Sequence, residues 1–521
     1  MTQAVRTSLG VLRGRGAVAP LLLCAVVVSC SPGKPPFDRG LLPPAELGRV
    51  RAEDSPYLKA HMKDGRLYVL SKWTADGGAV KGTGQLVEVD RIHSRSGVFE
   101  VHFADVALFE TNAPVRTSPA LAAMLVVTGA SIAVTVACIL NPKACFGSCP
   151  TFYVTDGKQP VLQAEGFSDS VAPSLEATDV DALYRARPAG RNLEVRMTNE
   201  ALETHVVKRV EVIAVPRPPG GRVFYATDDG YYGATALAAA ESCDAPEGSC
   251  AEALRTFDGH ERTSLADGRD LGTKEELTLT FPPSSATSRG LVIAARQTLL
   301  TTYLLYQELA YLGSKAVDAL SQLERDPRLG SRLKQAHRLL GSIEIAVQGT
   351  DGRWEPAGEV FETGPIATDV HLVRLPAGAA GPLHVRLRLT RGNWRLDWVG
   401  LADLGPRLEP TVLPAKTISG VTDDKRHVTA RAGETIVTLP GDAYNFEFEL
   451  PEHPEKYELF LSSRGYYLEW IRERWLAEES PARAALMMYA PSVALRLMAP
   501  AYKQQEAGME RLFWESRYAH P

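Results

Sequence analysis

Leu383, Val385, Leu387 and Leu389 are apolar, whereas His384, Arg386, Arg388 and Thr390 between them are polar. A period of two cannot be a helix: it places the four apolar side chains on one face of a strand whose other face meets water. The alternation recurs in LEVRMT (193–198), in VVKRVEVIAV (206–215) and at Ile343, Ile345 and Val347. Between Tyr57 and Asn112, the runs RLYVLSKW, QLVEVD and VFEVHFADVALF are rich in β-branched and aromatic residues, with Asp64-Gly65 and Asp76-Gly77-Gly78 as turns. The expected fold class is α+β: mainly antiparallel β domains, a small barrel and a β-sandwich, with helical insertions and a helical C-terminal region. With 521 residues, 45% of them hydrophobic and 23% charged, the chain has material for several cores. Its 57 basic and 62 acidic residues leave a net charge of −5, which speaks against a nucleic-acid partner.

The N-terminus carries an address. Arg6, Arg13 and Arg15 precede an uncharged stretch from Gly16 to Ser29, too short to be read first as a membrane span. It ends in Val27-Val28-Ser29-Cys30, which resembles the lipobox of bacterial lipoproteins. The resemblance implies a signal peptide over 1–29, cleavage before Cys30, and acylation of that cysteine. Each buried methylene then adds about 0.8 kcal/mol of membrane affinity. Ser31 rather than Asp after the cysteine implies, by the same resemblance, the outer membrane, with the protein facing the periplasm or the surface. Residues 30–56, opening on the Pro/Gly-rich SPGKPPFDRGLLPP, are expected to form a flexible tether.

Residues 57–115 are expected to form a small β-barrel-like domain, and their strand order resembles SH3-like or Sm-like barrels. Gly82-Thr83-Gly84 lacks the third glycine and the helix of a dinucleotide loop and is read as a strand bend. A hydrophobic helix is expected over 118–140, of which Leu121–Leu140 is free of charge and long enough for a bilayer. Three readings stay open for it: a span, a helix embedded beside the lipid anchor, or a helix buried among the domains. Membrane lipid is thus an expected partner through Cys30 and through 121–140. Cys145 with Cys149, and Cys243 with Cys250, are close pairs in an exported chain and are disulfide candidates, bridged locally or crosswise. Their C-x3-C and C-x6-C spacings do not suit zinc.

Cys149-Pro150-Thr151-Phe152-Tyr153, followed by Asp156-Gly157 and by Glu165-Gly166-Phe167-Ser168, resembles a stretch of uncharacterised multi-domain bacterial envelope lipoproteins, and the likeness extends loosely to Asn199–His205. It implies localisation and architecture, not an activity. The same residues read as a hairpin turning at Asp156-Gly157 inside a β-rich domain, 141–290. A helical insertion is expected over 291–340, where Leu299–Leu312 is apolar nearly all round and closed by Gly313, with Tyr303, Tyr306 and Tyr311 in its core. A β-sandwich is expected over 341–460, in which Trp354, Trp394 and Trp398 are candidates for a ligand-stacking platform. A helical region over 461–521 is thick with Arg, Glu and aromatics, including Arg464, Tyr466 and Glu469, and reads as a cap.

No H-E-x-x-H, G-x-S-x-G, P-loop or EF-hand pattern occurs. No metal site, cofactor or catalytic residue is assigned, and His205 beside Glu203 reads as structural or surface. Asp179 with Asp181, and Asp228 with Asp229, are chemically adequate for acid and base work, but sequence does not separate them from turn and cap residues. The expectation is a lipid-anchored envelope protein that binds or scaffolds, with an envelope protein or a glycan as partner. The alternative is a carbohydrate-binding protein or an enzyme acting on cell-wall carbohydrate or peptide.

Overall fold

The computed structural model describes residues 37–114 and 149–515, less 43, 63–65, 89–93, 169, 172–174, 202, 227–229, 314–339, 362–363, 377–381, 423–426 and 470–477. The expected signal peptide over 1–29, Cys30, the hydrophobic segment 121–140, Cys145, Asp228 and Asp229 lie outside the described residues. Among the described residues the fold is mostly antiparallel β with few helices, in five sheets.

The first sheet runs in the order Phe37–Leu42, Val106–Pro114, Tyr57–Met62, Leu67–Asp76, Ala79–Val87, Ser94–His102, all antiparallel. Two expectations change here. Part of the expected tether is folded, because Phe37–Leu42 pairs with Val106–Pro114 and Pro44–Arg49 forms a 3-10 turn that buries Leu47. This sheet is also open, an array of six strands over Leu58, Leu70, Trp73, Val80 and Phe109. Asp76 pairs with Ala79 across a two-residue turn in which Gly77 and Gly78 have φ of 59° and 85°. Gly84 is a strand residue: a Cβ there would lie 1.9 Å from the Val69 carbonyl oxygen.

The second sheet is ordered His427–Ala430, Thr417–Val421, Ala443–Glu449, Asn192–Thr198, Thr151–Thr155, Pro160–Glu165. The third is ordered Thr411–Pro414, Glu203–Pro216, Tyr457–Glu469, Ala177–Ala182, with Ile436–Thr438 also pairing Glu203–Pro216. Phe152, Leu193, Val195, Phe446 and Phe448 of one sheet share a core with Val210, Val212 and Leu461 of the other, so the two stack as a sandwich.

The fourth sheet closes on itself. Gly230–Ala239, Arg222–Ala226, Asp369–Arg374, Arg289–Gln297 and Trp394–Leu408 follow one another, and Gly230–Ala239 pairs with Trp394–Leu408. The small barrel is therefore here, not at 57–115. Its interior holds Ala226, Ala234, Ala294 and Ala402 with Phe224 and Leu372, since five strands leave room for little more than small side chains. Its outer face, with Leu291, Ile293, Leu396 and Leu401, packs on Leu277, Leu279, Ile345, Val385 and Leu387 of the fifth sheet. That sheet is ordered Gly248–Ser249, Ser242–Ala245, Lys274–Phe281, Leu383–Thr390, Ile343–Gln348, Trp354–Val360.

The layers do not follow the expected domain boundaries. Strands between 222 and 408 build the fourth and fifth sheets, while strands from 151–216 and 411–469 build the second and third. The barrel and the sheet packed on it are inserted in sequence within the sandwich. The expected helical region at 461 begins instead with the strand Tyr457–Glu469, which runs through Arg464, Tyr466 and Glu469.

Among the described residues there are three α-helices. α1, Leu299–Leu312, is capped by the Thr298 hydroxyl, which accepts from the Leu300 amide, and ends at Gly313 with φ 50°. α2 is Pro481–Tyr489 and α3 is Pro491–Glu515. Leu300, Leu304 and Leu309 of α1 pack on Leu495, Met498, Tyr502 and Phe513 of α3, and Tyr303, Tyr306 and Tyr311 are buried as expected. No described helix is long and apolar enough to cross a membrane.

Candidate functional site

Cys243 and Cys250 form a disulfide, with Cα atoms 5.0 Å apart, closing the hairpin of the fifth sheet. Cys149 is instead a buried free thiol, which corrects its reading as a disulfide partner. It donates a hydrogen bond to Glu165, and burial, followed by the charges of Glu165 and Glu203, holds it well above the usual thiol range.

The three tryptophans do not form a platform. Trp394 is fully buried in the core between the barrel and the fifth sheet. Trp398 packs with Phe224 on the barrel's interior side, and Trp354, in the fifth sheet, lies under the Arg386 guanidinium at 4.9 Å. Positions 394 and 398 of an uninterrupted strand share a face. Here Ala295 pairs with Leu396 and Ala294 with Trp398, leaving Asp397 as a bulge that inverts the face beyond it. Asp397 uses its displaced position to accept hydrogen bonds from the Asp258 and Gly259 amides at 3.2 and 3.0 Å.

Two arrangements have chemical potential. The first is a carboxylate junction where the second, third and fourth sheets meet. Pro160–Glu165 supplies Glu165, Ala177–Ala182 supplies Asp179 and Asp181, and Asp369–Arg374 supplies Asp369 and His371. Glu165 Oε2 accepts from the Ile366 amide at 2.7 Å. Asp179 accepts from Phe167 and Val180 at 3.2 and 2.9 Å, and Phe167 makes its contact from a left-handed backbone, φ 39°, rare for an aromatic residue. His371 Nε2 sits 2.9 Å from Asp369 Oδ2 in ion-pair contact rather than an aligned hydrogen bond. Asp181 is buried, and its Oδ2 has no hydrogen-bond partner.

Burial pushes Glu165 up to about 8 against the lowering effect of its backbone donors. Burial and then the charge of Asp369 push Asp179 up to about 7. Asp181 is driven well above the carboxylate range by burial and by the charges of Asp179, Asp369 and Glu165. Burial acts to lower His371, but the charge and contact of Asp369 outweigh it, so that His371 titrates above its ordinary value. The junction therefore stores protons. The pair at 179 and 181 was legible as chemically competent; Glu165, Asp369 and His371 were not, because their convergence depends on strand pairing. Among the described residues no three His, Cys, Asp or Glu side chains converge to hold a metal ion. His205 and Glu203 contact each other at 3.2 Å and are completely buried.

The second is a shallow, half-open apolar trough among the helices, enclosing about 50 Å³. Thr301, Leu304, Leu305 and Glu308 line it from one face of α1, Met487 from α2, and Pro491, Ala494, Leu495 and Met498 from one face of α3. The spacings of three and four make both faces continuous stripes. Burial raises Glu308 to about 7. Sequence reading found α1 but not the trough, which needs α2 and α3 laid across it.

No family model matches the chain, and no curated protein matches it. Among solved structures, it is similar to BuGH86wt in complex with neoagarooctaose, at 10% identity and a TM-score of 0.16. It is also similar to a GH31 alpha-xylosidase from Xanthomonas citri, at 7% identity and a TM-score of 0.16. The chain spans 33% and 37% of the length of those proteins, which cover 43% and 76% of it.

Proposed function

We propose that this chain is a lipid-anchored cell-envelope protein that acts by binding, held through acylated Cys30 and facing the periplasm or surface, with the helical trough as its ligand-engaging site. The observation that carries the binding role is the trough itself: an open apolar surface whose one acidic side chain, Glu308, has no hydrogen-bond or ion-pair partner among the described residues. Ligand sites have this composition, a mostly apolar lining with few polar groups. The Cys243–Cys250 bridge supports export, since such bonds persist in oxidising compartments.

The anchor is tested by metabolic palmitate labelling. The wild type incorporates label and Cys30→Ala does not; equal labelling would reject the anchor. The binding role is tested by native mass spectrometry of protein purified from envelopes. A retained small-molecule adduct should be present in the wild type and lost in Leu305→Trp, which fills the trough; an adduct indifferent to the substitution would place binding elsewhere.

The enzymatic alternative has one specific observation in its favour, the proton-holding pair Asp179 and Asp181, since carboxylates of unequal environment are the acid and base of glycoside hydrolysis. Release of soluble fragments from purified cell-wall glycan by the wild type but not by Asp179→Asn would establish it.

A further inference from the structure

The barrel is tied to the sandwich by two short connections, 217–221 and 409–410. Where the two meet, the interface changes character along a single strand of the sandwich, Ala177–Ala182. At the far end of that strand Ala182, followed by Tyr184, enters an apolar core with Val223, Tyr231 and Phe460, the last two rings 5.0 Å apart. Arg222 stacks over Tyr184 at 4.7 Å and shares Glu458 with Arg217. Apolar contacts and arginines, which keep their charge, make this side indifferent to pH near neutrality.

The middle of the strand is the carboxylate junction, and it is built differently. Asp179, Asp181 and Glu165 come from the sandwich, Asp369 and His371 from the barrel. The other elements packed there add no second cation. Tyr457–Glu469 sets Leu461 and Ser463 in register with Asp181 and Asp179, Gln163 is spent on Ala182 and Arg185 backbone, and the 364–367 loop offers its Ile366 amide. Cys149 donates to Glu165 with the charges of Glu203 and Glu469 behind it, and Tyr184 faces Asp369. Fully ionised, the acids would outnumber the single imidazolium and leave buried like charges facing one another. Asp181 Oδ2 is buried without a hydrogen-bond donor, so a proton is what completes it. Asp179 and His371 are only half-buried, which gives protons a way in.

We propose that the junction is a proton-operated latch, closing the barrel against the sandwich in mildly acidic surroundings and parting them locally as the medium turns alkaline. The apolar core at Tyr231 and Phe460 is the pivot, and the short connections confine the movement to one side of the interface. The sign follows from linkage. Glu165, Asp179, Asp181 and His371 all titrate above their ordinary values when closed, so the closed state holds protons that the parted state releases to water. Loss of the His371 charge removes the only counter-ion named here and acts in the same direction.

The test is hydrogen exchange of the purified mature chain at pH 6 and pH 8.5, each rate divided by the intrinsic rate at that pH. Protection of Ala177–Ala182 and Asp369–Arg374 should fall about ten-fold or more at the higher pH, while Leu383–Thr390 in the fifth sheet changes by less than about two-fold. The double variant Asp179→Asn with Asp181→Asn mimics the protonated acids and should flatten the local fall; Glu165→Gln, on a different strand, should reduce it independently. Equal loss in all three strands would mean loosening of the whole fold and would overturn the latch, as would unchanged protection. A steep local fall that survives in both variants would overturn the assignment to these acids.

Discussion

Gly364 shows how closely the carboxylate junction is fitted. Its φ is 79°, and a Cβ there would lie 2.4 Å from Glu165 Oε2, so Gly364→Ala combines backbone strain with a clash against a buried acid. A loss of about 2 kcal/mol or more is expected in urea unfolding; a change below about 0.5 kcal/mol would mean that the loop moves freely away from Glu165. The protons stored at the junction carry a second prediction. Glu165, Asp179, Asp181 and His371 all titrate above their ordinary values in the fold, so the folded chain binds more protons than the unfolded one. Their contribution to stability is complete below about pH 4 and is lost as pH rises through about 7 to 8. Glu176, paired with Lys208 and Arg464, titrates below its ordinary value and acts oppositely, costing stability only as the medium becomes strongly acidic. The melting temperature should therefore fall steadily from pH 5 to pH 9, with a shallower fall in Asp181→Asn. A flat or rising profile in the wild type would refute the junction's role. Of these residues, only Asp179 and Asp181 were singled out in the sequence, as chemically adequate acids that could not be told from turn and cap residues; the structure places them two apart on one strand. The backbone donors that Glu165 meets are about two hundred residues away.

Among the elements, strand identity was legible and strand partnership was not. Alternation marked Leu383–Thr390 and Ile343–Gln348 correctly, since each buries one face. It misplaced Trp398, because a bulge of one residue has no signal in hydrophobic period. Trp394 lies on the buried side of that bulge with 1% of its surface exposed, so Trp394→Ala should cost about 3–5 kcal/mol, measured by denaturant midpoint. A value near zero would mean that the core can collapse around the void. The attachment of α3 is a different kind of contact. Glu510 pairs with Arg296 and Arg395, and both arginines also pair with Glu261. Glu510→Gln leaves two partly buried guanidinium groups sharing one carboxylate. Amide exchange in α3 should then accelerate about ten-fold, a loss of about 1.4 kcal/mol in local opening energy within the range for hydrogen bonds to charged groups. Unchanged exchange would show that the apolar contacts of Leu495, Met498 and Phe513 hold the helix alone.

At the scale of the molecule, the cysteines report on both compartment and packing. In native protein without reductant, a thiol-alkylating reagent should leave Cys243 and Cys250 unmodified because they are bridged, and Cys149 unmodified because it is buried and held as a neutral thiol. Adding denaturant alone should label Cys149, and adding reductant as well should label Cys243 and Cys250. Labelling of the latter pair without reductant would contradict export. Class and composition were readable from the chain, but the nesting of a barrel and its packed sheet inside a sandwich was not, because periodicity describes a strand and says nothing of which distant strand lies beside it. Asn192–Thr198 pairs with Ala443–Glu449, and Glu203–Pro216 with Tyr457–Glu469. Neither outer sheet can be completed before the last strand arrives, and pairings so distant in sequence form slowly. A polypeptide threaded across a membrane from its N-terminus would thus emerge with its early strands lacking neighbours for most of the passage. Delayed closure keeps it slack enough for a narrow conduit, at the expense of exposing sticky edges that a holding chaperone on the far side would need to shield.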